Sequence, residues 1–165
     1  MRLGYVGRAK TTLNKVGRSP VPACFLTRVK ACSADHEDRG LVIGLSPDPH
    51  RPAHLLLMAS EDVELTLLNL EGLAADSMGQ VLWRRFNRSS LQIQRDSSDR
   101  LVIPRDLREA AGLGLGELIW LGDRNKIRLF SPENWALYVE IEEADLDFSE
   151  GGSLATERGR TGGLI

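Results

Sequence analysis

Two stretches of this chain carry one pattern at a fixed distance. Asp96–Gly112 reads DSSDRLVIPRDLREAAG, and Asn14–Phe25 reads NKVGRSPVPACF. Setting Arg18 on Arg100 (100 − 18 = 82) also sets Asn14 on Asp96, Val21 on Ile103, Pro22 on Pro104 and Phe25 on Leu107. A polar residue, an arginine four later, an aliphatic before proline and an apolar residue three beyond, all in register, mark an internal duplication. In the later copy, Ser97–Ser98–Asp99 is a polar turn and Leu101–Val102–Ile103 an apolar strand. Pro104 suits the first turn of a helix and Gly112 the left-handed residue after it. The alternating Leu91–Gln92–Ile93–Gln94 before the turn predicts a second strand, hence a β-hairpin with Arg100 beside its turn. The earlier copy predicts the same: a strand over Tyr5–Leu13 and its hairpin partner over Arg18–Val21.

The rest of the chain fills two parallel schemes. Phe25, Leu26 and Val29 give one face to a helix opening at Pro22. Cys32–Gly40 is a polar loop, Leu41–Leu45 a strand, Pro47–Pro52 a turn and His54–Met58 the next strand. Ser60 is placed as an N-cap, with Val63, Leu67 and Leu70 on one face until Gly72. Another helix starts at Asp76 or Ser77. Met78, Val81, Leu82 and Phe86 line one side of it, and Arg84, Arg85 and Arg88 the other. In the second half, Leu118–Leu121 and Ile127–Leu129 flank the turn Gly122–Asn125, and Ser131–Pro132–Glu133 opens a last helix carrying Trp135, Tyr138, Val139 and Ile141. Ser60 answers Ser131 at an offset of 71 (131 − 60), so the first module spends 11 more residues (82 − 71) on the loops at Cys32–Gly40 and Pro47–Pro52. Each module reads β-β-α-β-β-α. The expected boundaries are 5–60, linking helices over 61–90, 91–134, an acidic helix over 135–148 and a disordered tail over 149–165.

Charge is distributed unevenly. Met1–Ala34 holds seven basic residues and no acid, and Glu133–Glu150 holds seven acids and no base, although the net charge is only −2. The asymmetry points to a basic face and an acidic face, with two solvated surfaces and no partner as the bland alternative. Two cysteines make no disulfide framework. No apolar run reaches a membrane span, and the first residues lack the apolar core of a signal peptide. The expected setting is the cytoplasm.

Asp-x-x-x-Arg, an aliphatic–proline pair three residues on and a short helix resemble the MraZ family, whose chains carry two tandem SpoVT–AbrB-like modules. The resemblance is close over about Leu91–Phe148 and loose over Tyr5–Arg88. It implies an α+β fold: duplicated AbrB-like modules forming a pseudo-twofold double-split β-barrel with flanking helices. It also implies a transcriptional regulator that binds double-stranded promoter DNA at repeated elements in a bacterial division and cell-wall gene cluster. A ring-shaped homo-oligomer at the nucleoid is part of the same expectation. Asn14 stands where the pattern has Asp, Asp99 where it has Gly, and Ser19–Pro20 interrupts the first apolar run.

The expected DNA contacts are Arg18 and Arg100, with Lys15, Lys10, Asn14 and Asp96 beside them. An arginine fork matches the major-groove acceptors of guanine, and a two-stranded ribbon fits that groove. The bland alternative for each Asp-x-x-x-Arg is a surface salt bridge that pins a turn. Two copies in register, together with the family resemblance, tip the reading toward DNA. Arg18, in an acid-free span, is expected to contact DNA more than Arg100, which lies among Asp96, Asp99 and Asp106. Cys32, His36, His50 and His54 could be drawn together as a metal quartet, but their spacings match no common zinc pattern, so neither metal nor cofactor is expected. No nucleophile elbow or phosphate loop appears, and neither an enzyme nor a small-molecule substrate is expected. Trp83, Phe86, Trp135 and Val139 are candidates for contacts between modules or subunits. Two rival functions stay open: an antitoxin-like AbrB protein whose acidic region binds a toxin, and a degenerate assembly module without DNA binding.

Overall fold

Short alternating strands and short capped helices alternate along the chain, and they do so twice. The computed structural model describes residues 4–33 and 40–149. The first pass is β1 (Arg8–Leu13), β2 (Arg18–Pro20), α1 (Ala23–Ser33), β3 (Leu41–Leu45), β4 (Leu55–Ala59) and α2 (Ser60–Leu70). After α3 (Met78–Ser89), the order returns as β5 (Leu91–Ile93), β6 (Arg100–Val102), α4 (Arg105–Ala110), β7 (Gly116–Asp123), β8 (Lys126–Phe130) and α5 (Pro132–Ser149). His36 and the tail from residue 150 lie outside the described residues.

The fold is α+β with antiparallel pairing. A six-stranded sheet runs β1-β7-β8-β4-β3-β5, and β2 and β6 form a separate two-stranded ribbon. These ladders do not close into one barrel, because β1 and β5 are free edges of the larger sheet. The expected hairpins are therefore corrected. The turn Asn14–Arg18 joins β1 to β2, yet β1 pairs with β7 and β2 with β6. Likewise β5 pairs with β3, and only an Arg95↔Leu101 bridge links it to β6. Each arm finds a longer or better-buried partner in another element than in its own neighbour. The first strand is also shorter than Tyr5–Leu13: Gly7 takes φ 96°, and Tyr5 is left as a lone bridge to Arg124.

The registers reveal an internal twofold. Ser19 faces Leu101 at the middle of the ribbon (101 − 19 = 82), and Leu56 faces Arg128 in the β4–β8 ladder. The sheet order reads the same from both ends when β1 is exchanged for β5, β7 for β3 and β8 for β4. The ladders set Leu41 on Leu118 (118 − 41 = 77) and Leu57 on Leu129 (129 − 57 = 72). The offset thus falls by five residues between β2 and β3 and by five between β3 and β4. The first half holds ten extra residues there, one fewer than the cap residues suggest. That discrepancy has a local cause. Ala59, not Ser60, caps α2, and the Ser60 hydroxyl donates to Gly40 O at 2.9 Å instead. Ser77 and Ser131 do accept from the backbone N–H groups of Gln80 (3.3 Å) and Asn134 (3.1 Å).

One face of the sheet is covered by the ribbon, α1 and α4. Leu41, Ile43, Leu55, Leu57, Leu118, Trp120, Ile127 and Leu129 meet Phe25, Val29, Leu101, Leu107 and Ala111 there. Burial of such side chains contributes roughly 1.5–3 kcal/mol each. The other face carries α2, α3 and α5. Leu56 and Met58 pack on Phe86 of α3, with Trp83 half-buried beside them, and Phe130 packs on Trp135 and Tyr138 of α5. Leu67 is exposed rather than inward; Thr66 and Leu70 are the buried residues of α2. Arg8 of β1 lies 5.6 Å over the Trp135 ring, so α5 touches both halves. No helix of the described residues is long and apolar enough to cross a membrane.

Helix α3 crosses β3 where the strand has no side chain. A Cβ on Gly44 would stand 2.7 Å from Phe86 Cε2, and Phe86 is fully buried. Gly44→Ala is expected to destabilise the fold by about 1–3 kcal/mol, the usual cost of overpacking. Urea unfolding measures it, and an unchanged midpoint would show that α3 is free to shift.

His54 is buried beneath α5, stacked 4.3 Å from Phe130. Its Nε2 lies 2.9 Å from Arg128 Nη1, and arginine can only donate, so Nε2 accepts. Nδ1–H therefore donates to Pro52 O at 2.8 Å, which fixes the neutral tautomer. Burial first, then the Arg128 charge, lowers its pKa to about 4, against an unfolded 6.5, although the Pro52 carbonyl works the other way. The unfolded chain thus binds this proton first as pH falls. Stability is full above pH 6.5 and drops toward pH 4, by up to about 3 kcal/mol. Chemical unfolding across that window should show the slope in the native protein and not in His54→Gln. Equal slopes would remove His54 as the cause.

Candidate nucleic-acid interface

The two turns that carry the repeat are alike in their hydrogen bonds. Asn14 Oδ1 accepts from the N–H groups of Val16 (3.1 Å) and Arg18 (2.9 Å). Asp96 Oδ1 accepts from Ser98 (2.8 Å) and Arg100 (3.0 Å). Asn14 N–H donates to Arg18 O at 2.9 Å, and Asp96 N–H to Arg100 O at 2.8 Å. Gly17 and Asp99, also 82 apart, take the positive φ that closes each turn, at 83° and 58°. Aspartate tolerates this left-handed conformation better than most residues with a Cβ. Asn14 and Asp99 thus keep the geometry although they change the residue.

The turns deliver Arg18 and Arg100 to the same place. In the ribbon Ser19 and Leu101 point inward and are fully buried. Arg18, Pro20 and Val102 are exposed and the Arg100 side chain is 39% exposed. Arg18 faces Val102, and Pro20 faces Arg100. The two arginines are therefore diagonal neighbours on one outward face, about 7–8 Å apart at their stems. Sequence reasoning found both residues but not their meeting. The signal was present in the equal offset, since two strands related by a twofold and paired antiparallel must bring equivalent residues to the same face.

Their electrostatic settings differ. Arg100 Nε donates to Asp96 Oδ2 at 3.2 Å. The Arg100 backbone N–H holds the Asp96 carboxyl below the usual range, helped by the Ser98 N–H and the guanidinium. Asn14 offers Arg18 no such charge, and among the described residues the Arg18 guanidinium has no hydrogen-bond or ion-pair partner. Asp99 does not press on Arg100, because it pairs with Arg95 and, at 3.1 Å, with Lys30. Arg28 is not part of the basic surface either. It reaches Asp62 at 3.5 Å and lies 4.7 Å over the Tyr5 ring. Lys15 is exposed in the first turn, whereas Lys10 sits on β1 in the larger sheet, outside the ribbon.

Ser19 and Pro20 are accommodated by a buried polar chain. Trp120 Nε1–H donates to Thr11 Oγ1 at 2.7 Å. Thr11 and Ser19 hydroxyls meet at 2.5 Å, and Ser19 Oγ donates to Pro20 O at 3.1 Å. The equivalent residues in the second half, Ile43, Ile93 and Leu101, are apolar, so a polar strut replaces an apolar contact at one end only.

His50 and His54 form no metal cluster with the other described residues. His50 is exposed, and both His54 nitrogens are occupied by protein groups. A second charged group, Asp123, Lys126 and Arg128, is a structural ion network, with Arg128 on Asp123 at 2.9 Å. Burial raises Asp123, but Arg128, Lys126 and Arg124 together bring it below its ordinary value, and burial lowers Lys126 to about 8.

Residues 88–158 match the family described as MraZ protein, putative antitoxin-like. This part of the chain is similar to the MraZ family. No curated protein matches the chain. The matched segment contains β5 through α5, with Asp96 and Arg100. Arg18 and Asn14 precede it and join it through the ribbon. Asp96→Ala is expected to lower the melting temperature more than Asp96→Asn, because an amide makes the same turn at Asn14. Equal losses in thermal melts would mean that the two turn hydrogen bonds contribute nothing.

Proposed function

We propose that the chain is a sequence-specific double-stranded DNA-binding regulator of the MraZ type, not an enzyme, acting at promoters of a bacterial division and cell-wall gene cluster. The observation that carries this reading is the outward pair Arg18 and Arg100 on a two-stranded ribbon, with no carboxylate paired to Arg18 among the described residues. Such a ribbon fits a major groove, and guanidinium forks match guanine O6 and N7. Lys15 beside it adds phosphate attraction, which makes affinity salt-dependent. Leu65, Leu68 and Leu73 are exposed on and just after α2, which supports a homo-oligomer. Several ribbons in one assembly would engage repeated elements, and linkage would multiply their affinity.

A second reading keeps the fold and changes the partner. The family description includes an antitoxin-like role, and Glu133, Glu140 and Glu143 of α5 are exposed, a surface for a basic protein. Co-purification of a small basic protein with loss of DNA binding would favour it.

Titration of the chain's selected DNA at matched salt tests the first reading. Arg18→Ala is expected to weaken binding by about 1–3 kcal/mol per contact. Arg100→Ala should weaken it less and lower the melting temperature, since it removes the ion-pair partner of Asp96. If Arg100→Ala abolishes binding and Arg18→Ala leaves it unchanged, the matched segment alone reads the DNA.

A further inference from the structure

Arginines account for only half of the ribbon's outward face. Val102 is 41% exposed and stands directly opposite Arg18 in the β2–β6 register. Directly opposed residues of an antiparallel pair have stems about 4.5–5.5 Å apart. Val102 therefore projects the same way as the free guanidinium, next to it, while its neighbours Leu101 and Ile103 are buried. A β-branched residue serves the strand here, yet threonine would serve equally and stay wetted. In a major groove the acceptors of guanine suit a guanidinium, and the one apolar group on offer is the 5-methyl of thymine. Base pairs follow one another every 3.4 Å or so, which puts residues at this spacing over adjacent or next-adjacent pairs.

Resting on the DNA-binding reading above, we propose that Val102 is a specificity-determining residue: it packs on the 5-methyl of a thymine beside the guanine that Arg18 holds. The ribbon is then unequal at its two ends. Pro20 is the residue opposite Arg100, and Asp96 holds Arg100 by its Nε, so that end positions the ribbon. The Arg18–Val102 end, with an untethered fork and an aliphatic surface side by side, carries the discrimination.

The probe is duplex DNA enriched from a random-sequence pool by the full chain, with each thymine replaced in turn by deoxyuridine, which lacks only the methyl group. Replacement at one position near an Arg18-dependent guanine should weaken binding about fourfold, the worth of one buried methyl. Val102→Ala should bind the thymine duplex about fourfold less tightly and no longer distinguish the two bases. Val102→Thr, which keeps one methyl, should retain discrimination. Thermal melts establish that both variants fold. Arg18-dependent binding with no sensitivity to deoxyuridine at any position overturns this inference and leaves the proposed function standing. Discrimination that survives in Val102→Ala overturns it too, as does a loss of oligomer in that variant with thymine discrimination unchanged, which would make Val102 a subunit contact. Failure to enrich any duplex overturns both.

Discussion

Strand pairing between the two halves is the constraint on which the rest of this structure depends. The β2–β6 ribbon and the β4–β8 ladder each take one strand from either half. Neither half can complete its hydrogen bonds alone, and an unpaired buried N–H or C=O is costly. The twofold that relates the halves runs through the middle of both ladders. It fixes the arginines on one outward face as a matter of geometry, because equivalent residues of symmetry-related antiparallel strands cannot point in opposite directions.

The internal twofold supplies the frame, and the two halves fill it with different residues. Asn14 and Asp96 make the same turn with the same oxygen. The Asp96 carboxylate also holds its arginine, and the Asn14 amide brings no charge to Arg18. Ser19 and Leu101 fill the same inward position, one satisfied by a hydroxyl chain to Trp120 and the other by apolar packing. A buried serine without that chain would forfeit a hydrogen bond for nothing. With it, Pro20 can sit at the end of a strand that has only one neighbour, where a proline is tolerated.

Much of this was legible in the sequence. The repeat at 82 residues, the two β-β-α-β-β-α passes and the matching positions of the two arginines follow from spacing and local propensity, and the α+β class from the family resemblance. Strand partners did not. A short polar turn between two alternating runs reads as a hairpin, and nothing local in Leu91–Ile103 says that its arms will diverge. Partner choice is settled by long-range burial, such as Leu101 and Ser19 entering the same core from opposite halves. The cap at α2 failed for a similar reason, since Ser60 found Gly40 O twenty residues back rather than its own helix. Nothing local at His54 signals its packing role, which burial and an arginine neighbour give it.

The interlocked ladders also bear on how the chain is made. Synthesis releases the first half before the second exists, and at roughly 5–20 residues per second the partners of β2 and β4 arrive several seconds later. During that interval β2 and β4 expose edge hydrogen bonds that a neighbouring nascent chain's first half can satisfy, by the same near-symmetric pairing that the second half later provides. Pairings made across such sequence separation form slowly. Crowded ribosomes on one message therefore set up a kinetic competition between folding within a chain and exchange of strands between chains, with domain-swapped assemblies as the product of the latter.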